Sequence, residues 1–129
     1  MNKPCPFCDV DPEKIRDESE YAAAIRDVFP ITEGHSLVVP RRHVQSIYDL
    51  EPGEQVDLWG LVALVRQSLL EQFRPDGFTI GVNDGAAAGQ TVPHAHVHVV
   101  PRRSGDVGDP RGGLRWVVPD KARYWEDRA

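Results

Sequence analysis

In the run His94-Ala95-His96-Val97-His98-Val99-Val100, three histidines alternate with small or apolar residues. A period of two is the period of a β-strand, so the run has to lie extended in a sheet. Its imidazoles then share one face, roughly 6.6–7 Å apart, while Ala95, Val97 and Val99 face a core on the other. A row of imidazoles is open to three readings: a solvated polar stripe, three ligands of one metal, or an anion site. The preceding Gly89-Gln90-Thr91-Val92-Pro93 favours the third. A glycine followed by amide and hydroxyl side chains offers donors beside the imidazoles, and donors with imidazoles suit a phosphate.

The remaining pattern supplies the rest of a small sheet and one long helix. After Pro52, the residues Leu58, Leu61, Val62, Val65, Leu69 and Phe73 recur at three- and four-residue spacing, which predicts a helix to about residue 73 with one buried face. Residues 21–28, 35–39 and 78–82 read as strands, the last an antiparallel neighbour of the histidine strand through the turn signal Asn83-Asp84-Gly85. Residues 106–113, rich in Gly, Pro and Asp, predict a surface loop, and 114–118 a short final strand. The expected fold class is α+β, an antiparallel sheet of about five strands packed by one long and one short helix. At 129 residues, without repeats or low-complexity tracts, the chain is expected to be a single domain. Its N-terminal segment 1–12 and a flexible tail from about 104 to 129 flank the sheet.

A formal net charge of −5 argues against binding a nucleic-acid polymer through bulk electrostatics. No apolar run approaches the roughly 18 residues of a membrane span, and Met-Asn-Lys-Pro-Cys-Pro lacks the apolar segment of a signal peptide, so no membrane partner and a cytoplasmic location are expected. The pairs Arg41-Arg42 and Arg102-Arg103 each follow a proline at an apparent strand end, where they either hold a polyphosphate or are simply solvated. Trp59, Trp116 and Trp125 are read as packing residues rather than as platforms for a base.

Cys5-Pro6-Phe7-Cys8 is the second constellation. Cys-x-x-Cys suits a redox pair, half a zinc site or two buried thiols. A redox pair normally follows a strand, and only four residues precede Cys5, so structural zinc ranks first. Closing a tetrahedral site needs two more ligands, and His43 and His94 are the candidates.

These residues resemble the histidine triad (HIT) family of nucleotide hydrolases and transferases. His94-x-His96-x-His98 with apolar x fits the family motif. Gly89-Gln90-Thr91-Val92 before it and Pro101-Arg102-Arg103 after it resemble the fragile-histidine-triad branch, which cleaves diadenosine polyphosphates. The resemblance covers about residues 5 to 103. It implies that His96 is the nucleophile, its Nε2 attacking the α-phosphorus while a main-chain carbonyl, here that of His94, holds its Nδ1 proton. It also implies that His98 hydrogen-bonds a phosphate oxygen, with Gly89, Gln90, Thr91 and Val92 orienting the same group. Asp27, whose bland reading is a solvated acid at a strand end, would receive the ribose hydroxyls. Asn83 would contact the nucleotide, and Ile25 and Leu37 are candidate walls for a purine base. No catalytic cofactor is needed, and any zinc would be structural. The expected activity is hydrolysis or transfer at the α-phosphate of diadenosine polyphosphates or related adenylated compounds. Phosphoramidase, phosphorylase and a nucleotide-binding adapter are the alternatives. A homodimer is expected from the family habit. Eukaryotic enzymes of the branch generally lack a Cys-x-x-Cys zinc site and several bacterial HIT proteins carry one, so this chain mixes the two patterns.

Overall fold

The computed structural model describes residues 5–127. Residues 1–4 of the N-terminal segment and 128–129 of the tail lie outside them. Five strands, β1 (Asp17–Glu18), β2 (Ala22–Arg26), β3 (Ser36–Pro40), β4 (Gly77–Gly81) and β5 (Val97–Arg102), form one antiparallel sheet in the order β1-β2-β3-β5-β4. The helix α1 (Pro52–Phe73) connects β3 to β4.

The helix begins where Pro52 supplies a preset φ and where the Glu54 carboxylate accepts the backbone N–H of Glu51 at 3.1 Å. It ends at Arg74, which takes the left-handed conformation at φ 49°. The face predicted from spacing is the one that packs. Leu58, Leu61, Val62, Val65 and Leu69 are buried against Ala22, Ala24, Val38, Ala95, Val97 and Val99, with Phe73 at the margin. Each such side chain contributes roughly 1.5–3 kcal/mol by leaving water. Period-2 alternation then puts Ala23, Leu37 and Val39 on the opposite face, where Phe7, Ile15 and Ile25 cover them. This second face carries the histidines, because Leu37 is the register partner of His98.

Two details differ from expectation, the start of the histidine strand and the C-terminal segment. Regular pairing of the histidine strand starts only at Val97. His94, in a bend, and His96 precede it in a stretch tied down by Ala95, whose N–H donates to the Val44 carbonyl at 2.8 Å. Residues 114–118 are not a strand: Gly113–Val117 is a 3-10 turn, followed by others at Pro119–Lys121 and Tyr124–Asp127. Stacking holds this part in place, with Arg111 over Trp125 at 4.3 Å, Arg115 over Tyr124 at 4.6 Å and Arg123 over Trp116 at 5.5 Å. The expected short helix is represented by 3-10 turns among the described residues. Trp59 and Trp116, read as packing residues, are 43% and 39% exposed. No helix among the described residues is long and apolar enough to cross a membrane.

Candidate active site

Three histidines on one sheet face meet three different surroundings. His94 is fully buried at the N-terminal edge. Its Nε2 donates to the Pro40 carbonyl at 2.8 Å, which leaves the Nδ1 lone pair aimed away from the sheet. That lone pair faces Cys5 Sγ at 3.3 Å, Cys8 Sγ at 3.5 Å and His43 Nδ1 at 3.1 Å, and Cys8 Sγ lies 3.0 Å from His43 Nδ1. All four donor atoms fall within 4.8 Å of one another. The Ala95 to Val44 hydrogen bond brings His43 to this point, and the chain reversal at Cys5-Pro6-Phe7-Cys8 brings the thiols. The hydrogen bond shared with Cys5, then desolvation and the charges of Cys5 and Asp9, hold the exposed Cys8 thiol above its ordinary pKa. Two soft sulfurs and two imidazole nitrogens converging in this way are the donor set of a closed tetrahedral metal site. All four residues predicted as ligands are in it.

His96 is the central group. Its Nδ1 donates to the His94 carbonyl at 2.9 Å, so Nε2 keeps its lone pair. Phe7 packs its ring 5.2 Å from the His96 ring and 5.8 Å from His94, which limits rotation of both. His98 lies next in the row, ring centre 5.1 Å from that of His96.

A partner that the sequence did not signal completes His98. The backbone N–H of Ile31 donates to His35 Nδ1 at 3.2 Å, which places the His35 proton on Nε2. Nε2 then donates to His98 Nδ1 at 3.0 Å, and Asp27 Oδ2 lies 3.4 Å from the same Nε2. Two consequences follow in order: His98 accepts at Nδ1, so its own proton sits on Nε2, where it faces outward as a donor. Burial is the main force pushing both pKa values below the ordinary histidine range. The charge of His96 and then of His35 adds to it for His98, and the Asp27 carboxylate opposes it in both. His35 was visible only as a lone polar residue opening the apolar run of β3. Nothing in the sequence said that its ring would reach 63 residues along the chain.

The other predicted contacts are placed as follows. Asp27 lies half-buried at the end of β2, one oxygen accepting the Phe29 N–H at 2.9 Å and the other beside His35. Ile25 and Leu37 neighbour each other across β2 and β3. Asn83 continues the row of Thr79 and Gly81, and Gly81 is the register partner of His98. Gly89, at φ 95°, closes a 3-10 turn that only glycine adopts without strain. The Gln90 amide is committed to its own loop: Nε2 donates to the Gln45 and Val92 carbonyls, and Oε1 accepts from Gly85 N–H. Thr91 is exposed. The arginine pairs are spent on the fold. Arg41 pairs with Glu18, Arg42 with Glu54 and Arg102 with Asp106, while Arg103 donates to the Phe73 and Arg74 carbonyls that end α1.

This row of imidazoles falls inside residues 9–105, which match the HIT domain. The chain belongs to the HIT family. Among relatives of the HIT chain, the bis(5'-nucleosyl)-tetraphosphatase [asymmetrical] of Schizosaccharomyces pombe is 42% identical over 91 residues, 70% of this chain and 50% of that protein. The bis(5'-adenosyl)-triphosphatase of Saccharomyces cerevisiae is 33% identical over 129 residues, 98% of this chain and 59% of that protein. The HIT chain therefore spans about half to three-fifths of the length of these relatives. A HIT family member from Bacillus subtilis superposes with a TM-score of 0.74 at 24% identity, covering 98% of this chain and 94% of that one, and so shares the α+β fold.

Proposed function

We propose that this HIT protein is a nucleotidyl hydrolase of diadenosine polyphosphates or closely related adenylated compounds, acting through a covalent nucleotidyl-histidine at His96. One observation carries the proposal: the His94 carbonyl holds the Nδ1 proton of His96 at 2.9 Å and leaves Nε2 unprotonated beside His98. In the first step the Nε2 lone pair forms a bond to the α-phosphorus. The bridging P–O bond breaks, and its electron pair leaves with the departing nucleotide. The Nε2–H of His98 donates to the phosphoryl oxygens where negative charge builds, with Thr91 and the backbone around Gly89 proposed to orient the same group. Water then attacks phosphorus, the P–N bond breaks, and AMP is released with His96 restored. Asp27 and the Ile25–Leu37 wall would hold the ribose and purine of the transferred half. The names of the similar phosphatases support this substrate class.

We further propose that Cys5, Cys8, His43 and His94 hold a zinc ion, which when bound closes a structural site and supplies no catalytic water. His94 would link that site to catalysis, since its side chain is a ligand and its carbonyl orients the nucleophile. Thiolates of this kind persist in a reducing compartment, which supports a cytoplasmic location. The outer face of α1 exposes Val56, Trp59 and Leu64, and β4 is an edge strand, so a second copy of the chain is the proposed partner there. Light scattering on the eluted protein tests it, and a monomer at micromolar concentration removes it.

Mass spectrometry during turnover of diadenosine tri- and tetraphosphate tests the reaction. An adduct of AMP mass is expected on wild type and not on His96→Gly, with AMP as product. An adduct that persists in the variant overturns the role of His96. Appearance of ADP only when inorganic phosphate is added marks a phosphorylase. Absence of turnover together with tight AMP binding transfers the assignment to a phosphoramidase or an adapter.

A further inference from the structure

A cavity of about 510 Å³ opens on the histidine face between the β4–β5 end of the sheet and the stacked C-terminal turns. Its walls include Thr79, Arg102, Val107, Leu114 and Trp116. The reaction proposed above uses none of them.

We infer that this cavity receives the second nucleoside of the substrate, the half that departs. The inference rests on the functional reading above and adds the place where the leaving group is recognised. The strand order gives the direction. Leu37, His98 and Gly81 lie in register across β3, β5 and β4, so a chain of phosphates held at His98 runs from the Leu37 side toward β4. Gly81 brings β4 against the cavity: Leu114, its first wall, would lie 3.5 Å from a Cβ at Gly81, an ordinary contact distance. Thr79 and Arg102 lie further along the same face, and Arg102 is four residues beyond His98, or about 13 Å of strand.

The lining fits a neutral, planar base better than phosphate. Arg102 donates from Nε and Nη2 to Asp106 at 2.7 and 2.8 Å and from Nη1 to Thr79 at 3.1 Å, so its charge is already met. Arg111, on the neighbouring turn, is paired with Asp109 in the same way. What remains is the Trp116 ring, with Leu114, Val107 and Val117 as apolar walls. Trp116 is held ready for stacking: its Nε1 donates to the Arg111 carbonyl at 2.9 Å and Arg123 lies over its ring. A volume of this size is ordinary for a small-molecule site.

Isothermal titration with two non-hydrolysable ligands tests it, a methylene-bridged diadenosine tetraphosphate and the corresponding adenosine tetraphosphate that lacks the second nucleoside. Wild type should bind the dinucleoside about tenfold more tightly, the gain of one stacked base. Trp116→Ala and the cavity-filling Val107→Trp should each remove that advantage and leave the affinity for the mononucleoside ligand unchanged. Val107 is a loop residue 46% exposed, so the second variant keeps the test valid if the first loosens the turns. Equal affinity of wild type for the two ligands, or an advantage that survives in both variants, overturns the subsite while leaving the functional proposal standing. Failure of wild type to bind either ligand overturns both.

Discussion

Replacing His35 by leucine should slow turnover without touching substrate. The His35 side chain is almost entirely enclosed, and its one proton is given to His98 Nδ1 at 3.0 Å. Leucine removes that donor and also orphans the Ile31 N–H, so His98 is free to take the other tautomer, with its proton pointing back into the protein. A buried acceptor left unpaired costs about 1–3 kcal/mol, which as a loss of transition-state stabilisation is about a 5- to 150-fold fall in kcat. KM should change little. The pH profile adds a readout that simple loosening of the fold does not give. Burial first, then the charges of His96 and His35, keep His98 neutral below the ordinary histidine range, and the His35 N–H stabilises the neutral form further. Removing both the charge and the N–H lets the His98 pKa rise, so the acid limb of kcat/KM should move to higher pH in His35→Leu. His35→Gln, whose amide can donate to the same nitrogen, should recover much of the rate. Steady-state kinetics on diadenosine tetraphosphate from pH 5 to 8 decide the matter. Wild-type rates in the leucine variant, or a glutamine variant no better than leucine, refute the tautomer argument.

Folding stability should decline in acid for a related reason. His35 and His98 have folded pKa values lowered by burial, so the unfolded chain binds protons first, and stability present above about pH 6.5 is lost as pH falls through the folded values. Urea melts between pH 7.5 and 5 should show the loss, with a shallower slope in His35→Leu; stability that is flat or rises toward pH 5 contradicts it. Purified protein should carry about one zinc per chain by atomic emission, and Cys8→Ser should lower both metal content and Tm. Stripping the metal should lower kcat about tenfold, because His94 carries the carbonyl that orients His96. Full activity in demonstrably metal-free protein removes that coupling. Gly34→Ala should cost about 1–3 kcal/mol, since Gly34 has φ 89° and an added Cβ would lie 2.8 Å from the Phe73 ring. A thermal midpoint within a degree of wild type counts against this packing at the α1 end.

What the sequence made legible divides by the range of the interaction responsible. The helix was readable to its last residue because one face repeats every three to four positions and Pro52 marks its start. The clustering of Cys5, Cys8, His43 and His94 was readable because the chain holds only two cysteines and five histidines. His35 was not, since its role depends on a contact 63 residues away that leaves no local period. The C-terminal turns were misread for the same reason: three arginines stack on three aromatic rings, and apolar residues serving such stacking look, within a window of five, like a strand.

The histidine row shows why this fold and this chemistry are hard to separate. A strand alternates strictly, so a slip of one residue in β5 would carry His96 and His98 to the α1 face and turn Val97 and Val99 toward the site. Such a slip exchanges fully buried valines for imidazoles against Leu58 and Val65, and several kcal/mol of apolar burial is lost with it. The residues that make the core therefore also set the register of the site, with Leu37, His98 and Gly81 in line across three strands. The orientation of His96 depends on one thing more, the His94 carbonyl just upstream of the regular pairing, and that stretch is fixed by the Ala95 hydrogen bond and by His94 itself. On this reasoning a metal bound at His94 would stabilise the one part of the histidine row that the sheet does not hold, and its loss should show first in the rate and only then in the fold.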